Sequence, residues 1–445
     1  VTDPFTSFHA TAALRHLAQR RRLTSLLVPL PEPEHILQER WRPFAAAQAE
    51  ALTLSAGDLG DANAQWLQAE ELIAPGAPPA GEARLPFVFV RAINLELSYS
   101  CNLACSHCLQ TPLRTTGQPQ WLNPDLVGSL LEQAVELDLL GMGLNVTGGE
   151  TFAAGSPLLE VLEIAAGLEL PVRANTNAWW GLQQNIRLGE RLIADDEALV
   201  ALLQRSGFGR LALSLDDRYQ QYPELLERLV RVATLCERQG LAYEFVATDA
   251  DPEAFKVVLQ RIAAGAGSLT HARVTPMEMV DIGSAAPRQH QPLASDGLAA
   301  LARRSDCGTA GFHRPTYLHV NPEGGVRSCL YAPGAGWHGD LNRQSLRAIL
   351  NAAARNPVLQ LFERGELESF VARHLDPWRH LYRQVEHGCG AAALIARLAE
   401  RLTELQATDA DTPDAGAMEL LHHRLVQEMG LSAAQGAAGA AVATT

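Results

Sequence analysis

AINLELSYSCNLACSHC, residues 92–108, decides the reading of this chain. Residues 92–98 alternate apolar and polar side chains, with Ile93, Leu95 and Leu97 on one side, which is the period-two pattern of a strand. Cys101, Cys105 and Cys108 follow in the loop that leaves the strand. In βα folds the loops at strand C-termini are where chemistry is placed.

Working outward, strand and helix alternate. Asn123-Pro124 opens an apolar-periodic helix to about residue 140, with Asn as cap and Pro at the first helical position. Further strands are predicted at residues 144–146, 172–175, 211–215, 242–247 and 272–277. Helices are predicted from Ser156-Pro157, over 195–206, 223–239 and 252–264. Six strands alternating with helices predict an α/β fold of right-handed βαβ units on a parallel sheet. Six units are fewer than the eight of a closed barrel, so the expected architecture is a partial (β/α)6 barrel with an open side. After about residue 286 the rhythm stops. Residues 317–320 and 326–329 flank a Gly-rich turn at 321–325 and read as a β-hairpin. Helices are predicted at 345–354, 391–405 and 418–429, and the Ala/Gly-rich residues 432–445 read as a disordered tail. At the other end, residues 1–73 show helical spacing (Leu23, Leu26, Leu27), and the linker at 74–83 is dense in Pro, Gly and Ala. The expected division is a mainly helical N-terminal region at 1–84, the barrel at 85–290, a small C-terminal hairpin-plus-helices domain at 291–405, and a helix and tail at 406–445.

Composition narrows the function classes. The 445 residues are 47% hydrophobic and 19% charged, which excludes a mainly disordered chain. Net charge is 36 − 50 = −14, against nucleic acid or an anionic membrane as main partner. No apolar run is long enough to cross a bilayer, and the N-terminus lacks a signal-peptide pattern; a cytoplasmic protein is expected. The seven cysteines are 101, 105, 108, 236, 307, 329 and 389. An odd, sparse count in a long chain does not describe a disulfide scaffold and leaves thiolates for metal.

The spacing C-x3-C-x2-C lets one short loop wrap three thiolates around an inorganic cube, leaving one iron of a 4Fe–4S cluster open. A zinc site completed by His107 and a set of three inert buried cysteines are the competing readings. Gly148-Gly149-Glu150 follows the second strand; two glycines allow close backbone approach and Glu150 adds a carboxylate, although a plain strand-to-helix turn has the same look.

Together, C-x3-C-x2-C after the first strand and G-G-E after the second resemble the radical S-adenosylmethionine superfamily over about residues 85–286. The resemblance implies that Cys101, Cys105 and Cys108 hold a 4Fe–4S cluster whose open iron chelates S-adenosylmethionine. It implies a 5′-deoxyadenosyl radical that abstracts hydrogen from an unactivated C–H bond, and a reducing partner such as a flavodoxin or ferredoxin. Gly148, Gly149, Glu150, Thr176, Asn177, Ser214 and Asp216 match cofactor-binding positions of the family, while strand-end capping and Asx-turns are the bland reading of the last four. Thr275-Pro276-Met277-Glu278 and Ile282-Gly283 resemble the segment near adenine, and His107 stands where the family often has an aromatic residue. Cys307, Cys329 and Cys389 resemble the Twitch domain, a shortened SPASM extension, which implies one auxiliary 4Fe–4S cluster. Its fourth ligand stays open among substrate, water, Asp306, His338 and His387, and three unrelated buried cysteines are the alternative.

Twitch-bearing members commonly mature ribosomally made peptides, so the resemblance implies modification of a peptide or protein side chain, with residues 1–84 as a leader- or substrate-binding region. A radical enzyme acting on a small molecule and a non-catalytic iron–sulfur sensor are the competing functions. Cys236, amid Val232, Leu235 and Leu241, reads as a buried structural thiol. Trp179-Trp180 reads as core or a substrate mouth, and Arg20 to Arg22 as a solvated helix face.

Overall fold

The structure is a computed structural model. It describes residues 7–17, 54–55, 61–77, 87, 89–105, 108, 110, 119–216, 223–248, 251–277, 297–303, 316–330, 337–382, 385, 387–407 and 415–429. Cys307, Asp306, His107, Glu278, Ile282, Gly283, the Arg20 to Arg22 run and the predicted tail lie outside them.

The six predicted strands form as β4 (Ala92–Glu96), β5 (Gly143–Thr147), β6 (Val172–Thr176), β9 (Arg210–Asp216), β10 (Tyr243–Thr248) and β11 (Ala272–Met277). All neighbours among them pair in parallel, in chain order. Parallel pairing requires a crossover at each step, and right-handed crossovers in sequential order stack the helices on one face. Side-chain alternation divides the sheet accordingly. Ile93, Leu95, Leu144, Val146, Ala174, Leu211, Leu213 and Phe245 join one buried apolar cluster with helix residues Val127, Leu131, Val161, Leu199, Leu229 and Ile262. Each such fully buried aliphatic side chain contributes ~1.5–3 kcal/mol, so this layer dominates the stability of the sheet.

Helix starts follow local chemistry. Asn123 Oδ1 accepts from the Asp125 amide at 3.0 Å ahead of α2 (Pro124–Glu136), following α1 (Asp61–Ala69) in the chain. Asp195 Oδ1 accepts from Ala198 N at 2.8 Å, and Ser345 Oγ from Ala348 N at 2.9 Å. These caps satisfy amides that the first turn leaves without partners.

Three features lie beyond the sequence reading. A two-stranded antiparallel ribbon, β7 (Gln184–Leu188) with β8 (Arg191–Asp195), is inserted after β6. In the N-terminal region, where helices are predicted, β1 (Ser7–Ala10), β2 (Leu54–Ser55) and β3 (Ile73–Pro75) make an antiparallel sheet in the order β2-β1-β3. Its strands are two to four residues long, too short for periodicity to register. Lastly, the hairpin assigned above to a separate C-terminal domain extends the main sheet. β12 (Tyr317–Val320) pairs in parallel with β4; β13 (Gly325–Arg327) and β14 (Trp337–Asp340) follow antiparallel. The result is one nine-stranded sheet, β11-β10-β9-β6-β5-β4-β12-β13-β14.

The N-terminal unit is docked on this body. His16, fully buried, places Nε2 3.0 Å from the Leu137 carbonyl. Ala13 N donates to Asn351 Oδ1 at 2.7 Å, and Arg347 pairs with both Glu70 and Glu136. Among the described residues no helix is long and apolar enough to cross a membrane.

Candidate functional site

The cysteine loop and the three loops predicted to serve it converge at the C-terminal ends of β4, β5, β6 and β9. Parallel register in a common direction brings them there: Glu96 lies opposite Thr147, and Thr176 opposite Leu213. Cys101, Cys105 and Cys108 are each partly exposed and in no disulfide, so none of the three is a buried thiol. Cys108 N donates to Cys105 O at 3.2 Å, turning the loop, and Leu103 N donates to Cys101 Sγ at 3.4 Å.

The glycines of G-G-E are required by close packing against this loop. Gly149 N donates to Ser98 O at 2.6 Å, and Glu150 N to Ser100 O at 2.9 Å. Gly148 sits at φ +133°, and a Cβ there would lie 2.4 Å from Ser98 O; at Gly149 it would lie 1.8 Å from Ser100 O. The β5 loop is thus bonded, backbone to backbone, to the two residues that lead into Cys101.

Glu150 faces inward. One carboxylate oxygen accepts from Thr176 Oγ1 at 2.7 Å and Phe152 N at 3.0 Å, the other from Asn177 N at 2.8 Å. Burial pushes this carboxyl up to about 7, against the opposing pull of those hydrogen bonds. The carboxylate therefore ties β5 to β6. Asn177 makes the Asx-turn of its structural reading and also braces the cysteine loop. Its Oδ1 accepts from Trp179 N at 3.0 Å in an Asx-turn, while its Nδ2 donates to Asn102 Oδ1 at 2.9 Å inside the cysteine loop. Trp180 is core: fully buried, with Nε1 donating to Thr176 Oγ1 at 3.1 Å. Ser214 and Asp216 lie half-buried near the end of β9, opposite Val246 and Thr248 of β10. Cys236 is buried in its helix, and burial raises its thiol pKa.

The sheet face opposite the helices carries a polar chain that sequence reading missed. His319 pairs in register with Asn94, and Asn94 with Asn145. Asn94 Nδ2 donates to His319 Nδ1 at 2.9 Å, Asn145 Nδ2 donates to Asn94, and Arg173 Nη1 donates to Asn145 Oδ1 at 2.6 Å and Asn175 Oδ1 at 2.5 Å. Arg173 also pairs with Glu244, which Arg210 approaches at 3.5 Å. Burial, then the nearby Arg327 charge, lowers His319 to about 3, consistent with a neutral ring accepting through Nδ1. Nearer the cysteine loop, Glu96 and Arg327 form a buried ion pair at 2.6 Å. Burial works against the Arg327 charge, and Glu96, Tyr99 and Cys329 together more than offset it. The available signal was the polar residues at alternating positions of three adjacent strands: Asn94 and Glu96, Asn145 and Thr147, Arg173 and Asn175.

Of the second cysteine set, Cys329 and Cys389 are buried. His338 Nε2 lies 2.5 Å from Ser328 Oγ and burial lowers the ring to about 3; His387 Nδ1 accepts from Cys389 N at 3.1 Å. Among the described residues no three Cys, His, Asp or Glu side chains converge as a metal-ligand group. The test of fit is therefore the chemistry of the donor set. Three partly exposed thiols in one turn-forming loop, braced by neighbouring strand ends, are soft ligands suited to iron–sulfur or zinc.

No protein-family model matches the chain, and no curated protein matches it. Among solved structures, the crystal structure of BtrN in complex with AdoMet and 2-DOIA is similar at 14% identity, covering 62% of this chain and 89% of that chain, with a TM-score of 0.30. A likeness that slight carries no functional weight. The residues themselves establish a mixed α/β chain with a parallel central sheet and a thiol-bearing loop at its C-terminal edge.

Proposed function

We propose that this chain is a radical S-adenosylmethionine enzyme that modifies a side chain of a ribosomally made peptide or protein. The observation that carries the reading is the bonding of the C-x3-C-x2-C loop to the G-G-E loop through Gly149 N–Ser98 O and Glu150 N–Ser100 O. The glycines of the second motif are required by close approach to the segment that leads into the first, which supports reading the two motifs together.

Cys101, Cys105 and Cys108 would hold the cluster, with Gly148, Gly149, Glu150, Thr176, Asn177, Ser214 and Asp216 as the surrounding cofactor-binding rim. When bound, cluster and S-adenosylmethionine supply a 5′-deoxyadenosyl radical able to take hydrogen from an unactivated C–H bond. The chain's own residues aim it. Glu150 locks the ends of β5 and β6 together, Asn177 fixes the loop at Asn102, and the backbone amides of Gly149 and Glu150 set the height of Ser98 and Ser100. Cys307, Cys329 and Cys389 are assigned to an auxiliary cluster, and residues 1–84 to substrate binding. The sheet has two open edges, β11 and β14, among the described residues, which suits a long substrate.

The test is anaerobic incubation with S-adenosylmethionine, a chemical reductant and peptides encoded beside the gene, read by mass spectrometry. A mass change on one peptide, with 5′-deoxyadenosine formed, is expected. 5′-Deoxyadenosine formed on a small molecule, with every peptide unchanged, overturns the peptide assignment. Absence of iron and sulfide from oxygen-free preparations overturns the radical reading itself.

A further inference from the structure

Arg327 ends β13, and its Nη2 lies 2.6 Å from both oxygens of Glu96 on β4. Both side chains are fully buried, at 1% and 0% exposure. Register explains the reach. His319 pairs with Asn94 on one side and Arg327 on the other, so the three share a face, and alternation puts Glu96 on that face two residues further on. The guanidinium therefore spans the width of β12.

Glu96 has two more partners. Tyr99 Oη donates to one oxygen and Gln110 Nε2 to the other, each at 3.3 Å. Tyr99 stands two residues before Cys101, and Gln110 two residues after Cys108. One buried carboxylate thus grips both ends of the cysteine loop. The cation that neutralises it comes from the hairpin, two residues before Cys329. A buried carboxylate that loses its cation must protonate or move, and here it would release the loop ends it holds.

We propose that Arg327 is a positioning residue for the cysteine loop, acting through Glu96, so that seating of the β12–β13 hairpin and ordering of Cys101, Cys105 and Cys108 are one event. The functional weight of this strut rests on reading the loop as a cluster site; its geometry does not.

The experiment measures iodoacetamide labelling rates of Cys101, Cys105 and Cys108 by mass spectrometry in the full-length, metal-free chain, with iron uptake read in parallel. Arg327→Met should raise the loop labelling rates at least about tenfold, the lower bound for one lost charged contact. Arg327→Lys restores the charge, and because a single guanidinium nitrogen bonds Glu96, it should stay within about threefold of wild type. The double variant Glu96→Gln/Arg327→Met leaves no unpaired charge and should fall back toward wild type. Val326→Ala removes apolar burial from the same strand but keeps the pair, and should shift the rates by less than about twofold; it separates hairpin stability from the strut. Wild-type rates in Arg327→Met, or a Val326→Ala chain that opens the loop equally, overturn the proposal, and if Arg327→Met does not fold, loss of the threefold limit in Arg327→Lys does so. A wild-type chain that takes up no iron defeats the cluster reading while the labelling result stands.

Discussion

Gly149→Ala is the sharpest test of the bonded loops. The new methyl would lie 1.8 Å from Ser100 O and 2.4 Å from Ser100 C, both backbone atoms. Ordinary contact is about 3.5 Å, so the segment at Ser100 must retreat by roughly 1.5–2 Å. That retreat breaks Gly149 N–Ser98 O and Glu150 N–Ser100 O, at 2.6 and 2.9 Å. Two backbone hydrogen bonds at ~1 kcal/mol each, with one donor left without water, give a local cost of roughly 2–4 kcal/mol. Ser100 precedes Cys101, so the displacement is delivered directly to the thiol loop. The assay is iron and sulfide per chain after anaerobic reconstitution, with a thermal melt of the metal-free chain. Gly141→Ala is the control, because a methyl there meets nothing within 4 Å. Gly149→Ala should lose most of its iron and melt a few degrees lower, while Gly141→Ala matches wild type. Equal iron content and equal melting in both variants would refute the mutual packing of the two motifs.

Cys105→Ala should abolish S-adenosylmethionine cleavage, and retained turnover would remove that loop from the chemistry. Cys329→Ala should leave uncoupled cleavage largely intact but stop product formation; product that persists makes Cys329 structural. The Glu150 carboxyl is raised from 4.5 to about 7, so the folded state binds its proton more tightly and stability falls as pH rises from about 4.5 to 7. The range is worth about 3 kcal/mol; melts of Glu150→Gln should show a shallower fall with pH, and an unchanged slope would assign the titration elsewhere. His16 behaves oppositely: burial lowers it from 6.5 to about 4, so its contribution is present above 6.5 and is lost as pH drops toward 4. His16→Asn should make the acid-induced proteolytic release of the N-terminal unit less steep, and unchanged steepness would assign release to the Arg347 pairs.

Most of the central sheet was legible because its signals are local. Asn123, Asp195 and Ser345 cap the helices their positions predict, and the six strands fall within one or two residues of the expected spans. The three-thiol loop was legible for the same reason, since eight consecutive residues hold all of it. Residues 184–195 escaped notice because their two five-residue strands bury only Ile186, Leu188 and Ile193, too few for a period-two signal.

The sequence alone determined the alternation of strands and helices in the central sheet, their approximate bounds and the thiol loop, because these depend on neighbours in the chain. Tertiary structure alone decided that β12 pairs with β4, that Glu150 turns inward onto Thr176 and Asn177, and that Arg327 neutralises Glu96 across 231 positions. Those partners are set by sheet register and by the need to match a buried charge, and neither leaves a mark at fixed spacing along the chain.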